Sequence, residues 1–243
     1  LAQKLPYETI ERTPHGINLQ ELEKIFQSGK IKFFYTIPRF HYPLGHSYSR
    51  QEKEEILRLA QLYDVYIVED DYLSDFDSRR ELTFHYLDNS QRVIYIKSFS
   101  TSLFPALRIT ALLLPPQIQK TFITYKSAVD YDSNLIMQKA LSLYIDSLMF
   151  EKNRLALLQL QEEEARKAQT LLEQAQLPLA IYLTKDGILL DLRSLSSVSA
   201  LKHSNLPLDF FEQSYLASCP YQYAKLPYDN LEENVEKLKD YLK

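Results

Sequence analysis

Glycine is scarce. The 243-residue chain has four, Gly16, Gly29, Gly45 and Gly187, where average usage would give about four times as many. No GxGxxG or GxxxxGK(S/T) loop can be assembled from them, which disfavours folds that wrap phosphates in glycine-rich turns. Cysteine is down to Cys219 alone. No internal disulfide can form, a reducing cytoplasm fits best, and Cys219 reads as a small hydrophobe. A basic excess is also missing. The 28 Lys and Arg stand against 32 Asp and Glu, for a net charge of -4. Such a chain is not equipped to grip DNA by itself. No apolar run reaches the roughly 18–20 residues of a membrane span, and no signal peptide is read at the start. The chain opens on Leu1, so a fragment of a longer protein is expected.

What is present suits a globular protein: 45% hydrophobic and 25% charged residues, with length enough to bury a sizeable core. Residues 17–26 place Leu19, Leu22 and Phe26 at helical intervals behind Asn18 and Glu21, a capping-box spacing. Residues 31–38 form an apolar run suited to a strand buried on both faces. An amphipathic helix is predicted over 49–64. Strands are predicted over 65–72, 92–98 and 107–115. This order implies an α/β layer with a mostly parallel sheet. Beyond Pro116 the pattern predicts helices over 117–129, 135–150 and 151–175. Two short strands then flank an Asp-Gly turn within 179–193. Helices follow over 208–217 and 230–243, the last with Asn230 as its N-cap. The division expected is a large α/β domain over 1–150, a connecting helix over 151–175 and a small α+β domain over 176–243.

In open α/β sheets, ligands bind beyond the carboxyl ends of the strands. Three strand ends here carry polar groups. The first supplies Arg39, His41, Tyr42 and Gly45, the second Glu69, Asp70, Asp71 and Tyr72, and the third Ser98, Ser100 and Thr101, with Arg108 nearby. Hydroxyls, backbone N–H groups and a guanidinium together make a phosphate cradle. Plainer roles stay open. Asp70 and Asp71 can cap a turn, Arg108 can pair with Asp70 or Asp75, and Lys225 can be a surface lysine. His41 and His46 read as loop residues. The carboxylates lack histidine spacing, so no metal site is expected.

The motifs resemble a known family. Tyr95-Ile96-Lys97-Ser98-Phe99-Ser100-Thr101-Ser102-Leu103-Phe104-Pro105-Ala106-Leu107-Arg108 is similar to the run Y-x-G-(S/T)-F-S-K-(S/T)-L-x-P-x-L-R of MocR-type regulators in the GntR family. Their aminotransferase-like domain has the fold-type I architecture of pyridoxal-phosphate enzymes. Ile67-Val68-Glu69-Asp70-Asp71-Tyr72-Leu73-Ser74-Asp75-Phe76 resembles the family's acidic block. Ile37-Pro38-Arg39-Phe40-His41-Tyr42-Pro43-Leu44-Gly45 resembles its T-P-x-H-Q-(F/Y)-P-x-G segment. The resemblance is tightest over 37–153 and looser in the small domain, where Lys225-Leu226-Pro227-Tyr228-Asp229-Asn230-Leu231 is similar to R-L-G-F-x-N-L.

The resemblance implies a large domain with a mostly parallel sheet, a small C-terminal α+β domain, and a first part of the fold lying before Leu1. It implies that Asp70 faces the pyridine nitrogen of pyridoxal phosphate and Tyr72 its phenolic oxygen. Ser98, Ser100 and Arg108 hold the phosphate. Tyr42 stands where many aminotransferases have a cofactor-binding asparagine. The Schiff-base lysine position falls on Thr101, whose hydroxyl cannot form an imine. Lys97 stands where the family has glycine and is expected to point elsewhere. Lys225 replaces an arginine that grips a substrate or effector carboxylate, keeping the charge without the fork.

The function expected is an effector-sensing and dimerisation domain of a transcriptional regulator, catalytically inactive, binding pyridoxal phosphate or another small anion without a covalent bond. DNA contact is expected only through a winged-helix region before Leu1. A homodimer in the cytoplasm, away from membranes, completes the expectation. The alternative is a divergent pyridoxal-phosphate enzyme, and a third reading is a purely structural dead fold.

Overall fold

The computed structural model of the chain describes residues 6–130, 133–215 and 218–242. Two units divide it. The first takes the chain up to Arg39 and Ser47–Leu158, and the second takes Phe40–His46 and the chain from Gln159 onward.

The first unit opens with the antiparallel pair β1 (Arg12–Thr13) and β2 (Gly16–Ile17). Helix α1 (Leu19–Gln27) begins where the Asn18 side chain accepts from the N–H groups of Gln20 and Glu21 at 3.0 and 3.1 Å. Then come β3 (Phe33–Thr36), α2 (Arg50–Leu62), β4 (Tyr66–Asp70), the short α3 (Phe84–Leu87), β5 (Val93–Ser98) and β6 (Thr110–Leu113). The sheet order is β3-β4-β5-β6. The first three strands are parallel and β6 is antiparallel to β5. A mostly parallel sheet is therefore what forms. The fourth strand is shorter than its apolar run, because Pro105–Leu107 makes a 3-10 turn and Arg108 follows in the left-handed region at φ 50°.

Leu22 and Phe26 of α1 and Ile56 and Leu59 of α2 pack with Ile67 and Val93 on one side of the sheet. The opposite side is open among the described residues, where Phe33 is 56% and Tyr35 53% exposed. The run 31–38 is thus covered on one face rather than two. Helices α4 (Pro116–Val129) and α5 (Leu135–Asp146) follow. The continuous helix expected over 135–150 breaks, because Leu148 takes φ +61° and α6 (Met149–Ala175) starts after it.

Helix α6 runs on into the second unit, with the division between the units falling at Leu158 within it. Its later part joins the second core, since Ala168 is buried with residues of the small sheet. That sheet is antiparallel, in the order β7 (Ile181–Thr184), β8 (Gly187–Asp191) and, after the short α7 (Ser199–Lys202), β9 (Tyr223–Pro227). Every residue of β8 is buried. Helix α8 (Leu231–Leu242) packs Val235 and Leu238 against Ile188, Leu190, Ala224 and Leu226. Gly187 is required at its position. A Cβ there would clash with the carbonyl oxygen of Leu226.

Two expectations fail in this unit. No helix fills 208–215, because Asp209 pairs its backbone with Lys225 and only Glu212–Ser214 makes a 3-10 turn. The end of that expectation, Leu216 and Ala217, and Lys243 of the last helix lie outside the described residues. Asn230 has φ +52°, not the extended backbone of an N-cap.

Candidate ligand site

Strand alternation sorts the candidate residues of the first unit. Side chains two apart share a face, and the register sets Asp70 beside Ile96. Asp70 and Ser98 therefore lie on the open face, at the carboxyl ends of β4 and β5. Asp71 and Lys97 lie on the other. The hydrogen bonds agree. Asp70 accepts from the Tyr35 hydroxyl at 2.6 Å, and burial together with that bond pushes the Tyr35 phenol up from its ordinary value.

Asp71 is fully buried. It accepts from Arg39 Nε at 2.7 Å, from Arg39 Nη2 at 3.2 Å and from the Tyr95 hydroxyl at 3.1 Å. Arg39 also pairs with buried Asp77 and donates to the carbonyl of Glu81 at 3.2 Å. The acidic pair thus splits, with Asp71 in a closed ionic network and Asp70 available at the open face. Glu69, on the buried face, accepts from the backbone N–H groups of Phe84 and His85 at 2.9 Å each. Lys97 is spoken for. Its Nζ donates to Ser74 Oγ at 2.7 Å and pairs with buried Asp75.

The loop after β5 is closed by Phe99 N–H donating to the Ile109 carbonyl at 3.1 Å. Ser98 Oγ accepts from the Ser100 N–H at 3.3 Å. Thr101 is exposed, and so is Arg108. No hydrogen bond or ion pair joins Arg108 to either of its suggested partners; Asp70 accepts from Tyr35, and Asp75 pairs with Lys97. Ser102 is buried, with a hydroxyl that has no hydrogen-bond partner among the described residues. Its carbonyl accepts from Asn153 Nδ2 at 3.0 Å. Tyr72 follows β4, half-buried in the turn after Asp71.

The other two candidates belong to the second unit. The Tyr42 hydroxyl donates to Asp209 at 2.7 Å. Burial first, and that carboxylate second, push the phenol up to about 12. Lys225 on β9 is 6% exposed, not a surface lysine. Its Nζ pairs with Asp186 and stands 4.8 Å from the centre of the Tyr42 ring.

Tyr35, Asp186 and Asp209 escaped the sequence reading. Tyr35 sits in an apolar run that gives no hint of a polar partner 35 residues away, and Asp186 reads as an ordinary turn residue.

The open face thus carries a carboxylate, Asp70, and a hydroxyl, Ser98, at adjacent strand ends, and Arg108 is exposed in the loop that follows. The nearby amine, that of Lys97, points to the other side of the sheet.

Comparison with solved structures identifies the architecture. Kynurenine aminotransferase of Pyrococcus horikoshii matches with a TM-score of 0.80 at 23% identity, over 97% of this chain and 63% of that one. The fold is that of the fold-type I aminotransferases. Among curated sequences, the uncharacterised HTH-type transcriptional regulator YcxD of Bacillus subtilis is 45% identical over 151 residues, covering 62% of this chain and 34% of that protein. The probable rhizopine catabolism regulatory protein MocR of Rhizobium meliloti is 33% identical over 121 residues, covering 49% of this chain and 24% of that protein. The curated relatives thus include HTH-type and MocR-type regulators, of which this aminotransferase-fold chain matches about a third or less of the length, and also an enzyme, aromatic-amino-acid aminotransferase 1 of Thermococcus litoralis, 31% identical over 137 residues, covering 56% of this chain and 32% of that protein. No protein-family model matches it. Among the described residues, no helix is long and apolar enough to cross a membrane.

Proposed function

We propose that the chain is the effector-sensing and dimerisation part of a MocR-type transcriptional regulator, one that binds a vitamin B6 phosphate or a similar anion reversibly and turns nothing over. The observation that carries this reading is the placement of amines. Thr101 stands in the exposed loop where the resemblance puts the cofactor-binding lysine, and Lys97 is locked to Asp75 behind the sheet. The likeness to HTH-type regulators supports the regulatory half.

Pyridoxal phosphate supplies an electron-withdrawing ring when bound. The residues of this chain would hold it. Asp70, held by Tyr35, would accept from the ring nitrogen, and Tyr72 would donate to the phenolic oxygen. Ser98, Ser100 and Arg108 take the phosphate, with Arg108 contributing a charge-assisted hydrogen bond of about 1.5–3 kcal/mol. Without a covalent bond the complex is weak. Tyr42 and Lys225 supply the aromatic wall and the cation for a carboxylate. DNA recognition belongs to a helix-turn-helix region of the kind its homologues are named for, and the setting is the cytoplasm.

The test is thermal unfolding with added pyridoxal phosphate, followed by borohydride reduction and mass spectrometry. The unaltered chain should melt higher with the cofactor, by mass action on the native state, and after reduction at equimolar cofactor carry no stoichiometric label on any one lysine. Thr101→Lys should be labelled at residue 101. Stoichiometric labelling of a single lysine in the unaltered chain at equimolar cofactor, above the background on exposed lysines, would establish the enzyme reading. An unchanged melting temperature at saturating cofactor would leave only a structural scaffold.

A further inference from the structure

Lys225 is an awkward residue to bury. Its backbone is fixed to Asp209 by two hydrogen bonds, Asp209 N–H to the Lys225 carbonyl at 3.0 Å and Lys225 N–H to the Asp209 carbonyl at 2.8 Å. The Asp209 side chain holds the Tyr42 hydroxyl, and the Tyr42 ring meets Phe211 edge-on at 6.1 Å. These contacts make a rigid aromatic wall beside the Lys225 ammonium. What neutralises the ammonium is different in kind. Asp186 is 58% exposed and belongs to the two-residue turn between β7 and β8. The Thr184 hydroxyl lies 3.4 Å from the same Asp186 oxygen, but it makes a shorter bond at 2.8 Å to the carbonyl of Gly187. A buried cation in a rigid frame is thus paired with a carboxylate on a surface turn. Lys185 next to it adds a second ammonium, held below its ordinary value by burial first, partly offset by Asp186, with Lys225 also lowering it.

We propose that Asp186 is a built-in stand-in for a ligand. Its carboxylate occupies Lys225 until a small planar monocarboxylate, stacked against Tyr42, displaces it. This rests on the reading of Lys225 as the residue that receives an effector carboxylate. The physical reason for such a latch is that a buried ammonium left unpaired is costly. Exchanging one carboxylate for another keeps the charge balance, so the ligand's remaining contacts decide the outcome. The tethered carboxylate competes at an effective concentration in the millimolar range, which excludes weakly held anions.

The test is an acetate titration of the full chain, with chloride at matched ionic strength as control, read by the NMR shifts of the Lys225 ε-carbon and of the Tyr42 ring beside it, the ring alone serving where Lys225 is replaced. Asp186→Asn should bind acetate at least about tenfold more tightly than the unaltered chain, and adding Lys225→Met should abolish the gain. Equal acetate affinity in both chains would overturn the latch and leave Lys225 as a carboxylate site. No acetate-dependent shift at Lys225 in either chain would overturn both. Should Asp186→Asn fail to fold, the unaltered chain is titrated with the Asp186 carboxyl carbon observed as well. Displacement must move both signals at the same acetate concentration, and movement at Lys225 alone would overturn the latch.

Discussion

Arg39 holds two buried carboxylates, Asp71 and Asp77. Asp77 in turn accepts from the N–H groups of Arg79 and Glu81 at 3.1 and 3.0 Å, so the guanidinium fixes the loop after β4 as well as the strand end. Arg39→Met leaves both carboxylates buried without their cation. It should cost about 3–5 kcal/mol, measured by urea unfolding. Glu69 is the pH-sensitive residue of this region. Burial first, partly offset by its two backbone hydrogen bonds, pushes its carboxyl up to about 7 from an ordinary 4.5. The folded state therefore favours the protonated form. The stability it contributes is fully present below about pH 4.5 and is lost as pH rises through about 7. Glu69→Gln should remove that component, so that stability measured from pH 4.5 to 7.5 falls less steeply than in the unaltered chain. An unchanged slope would place the titration elsewhere.

Among the elements, α2 has the best-defined start. Glu52 N–H donates to Ser49 Oγ at 3.2 Å, and the Glu52 carboxylate accepts from the Ser49 N–H at 2.8 Å. Ser49→Ala should cost about 1 kcal/mol in thermal unfolding, with fold and ligand response intact. Strand β8 lies at the other extreme, with no exposed side. Leu190→Ala opens a cavity in the second core and should cost about 2–5 kcal/mol, shown by a lower urea midpoint. The apolar run 188–190 makes the burial of β8 legible. The break between α5 and α6 is less so, because Leu148 takes left-handed backbone that nothing in Ser147-Leu148-Met149 announces.

At the scale of the molecule, α4 and α5 expose more apolar surface than a lone globular unit needs to. Val129 is 84%, Leu135 70% and Ile136 78% exposed. Self-association through these helices is the reading that fits the proposed dimerisation role, since Leu135 and Ile136 expose adjacent large apolar side chains on α5. Ile136→Asp should shift sedimentation velocity toward the monomer without lowering the melting temperature of that monomer. A monomeric unaltered chain would remove this part of the proposal.

While the third strand of the small sheet, β9, was not read from it, the sequence by itself determined the order of the main elements from α1 to β6, the mostly parallel sheet, the helix start at Asn18 and the strand ends bearing Asp70 and Ser98. These are local facts of periodicity, capping and turn chemistry, and motif spacing carried them through to the fold. Tertiary structure decided how the acids divide. Asp70 and Asp71 are neighbours in the chain, yet strand alternation turns one to the open face with Tyr35 and the other into the buried pair with Arg39. It also decided that Lys97 faces away from Asp70, and that Lys225 is buried against Tyr42 with Asp186 as its partner. Those outcomes depend on register and on contacts between segments up to 183 positions apart, as between Tyr42 and Lys225, and composition and local pattern carry no record of such distances.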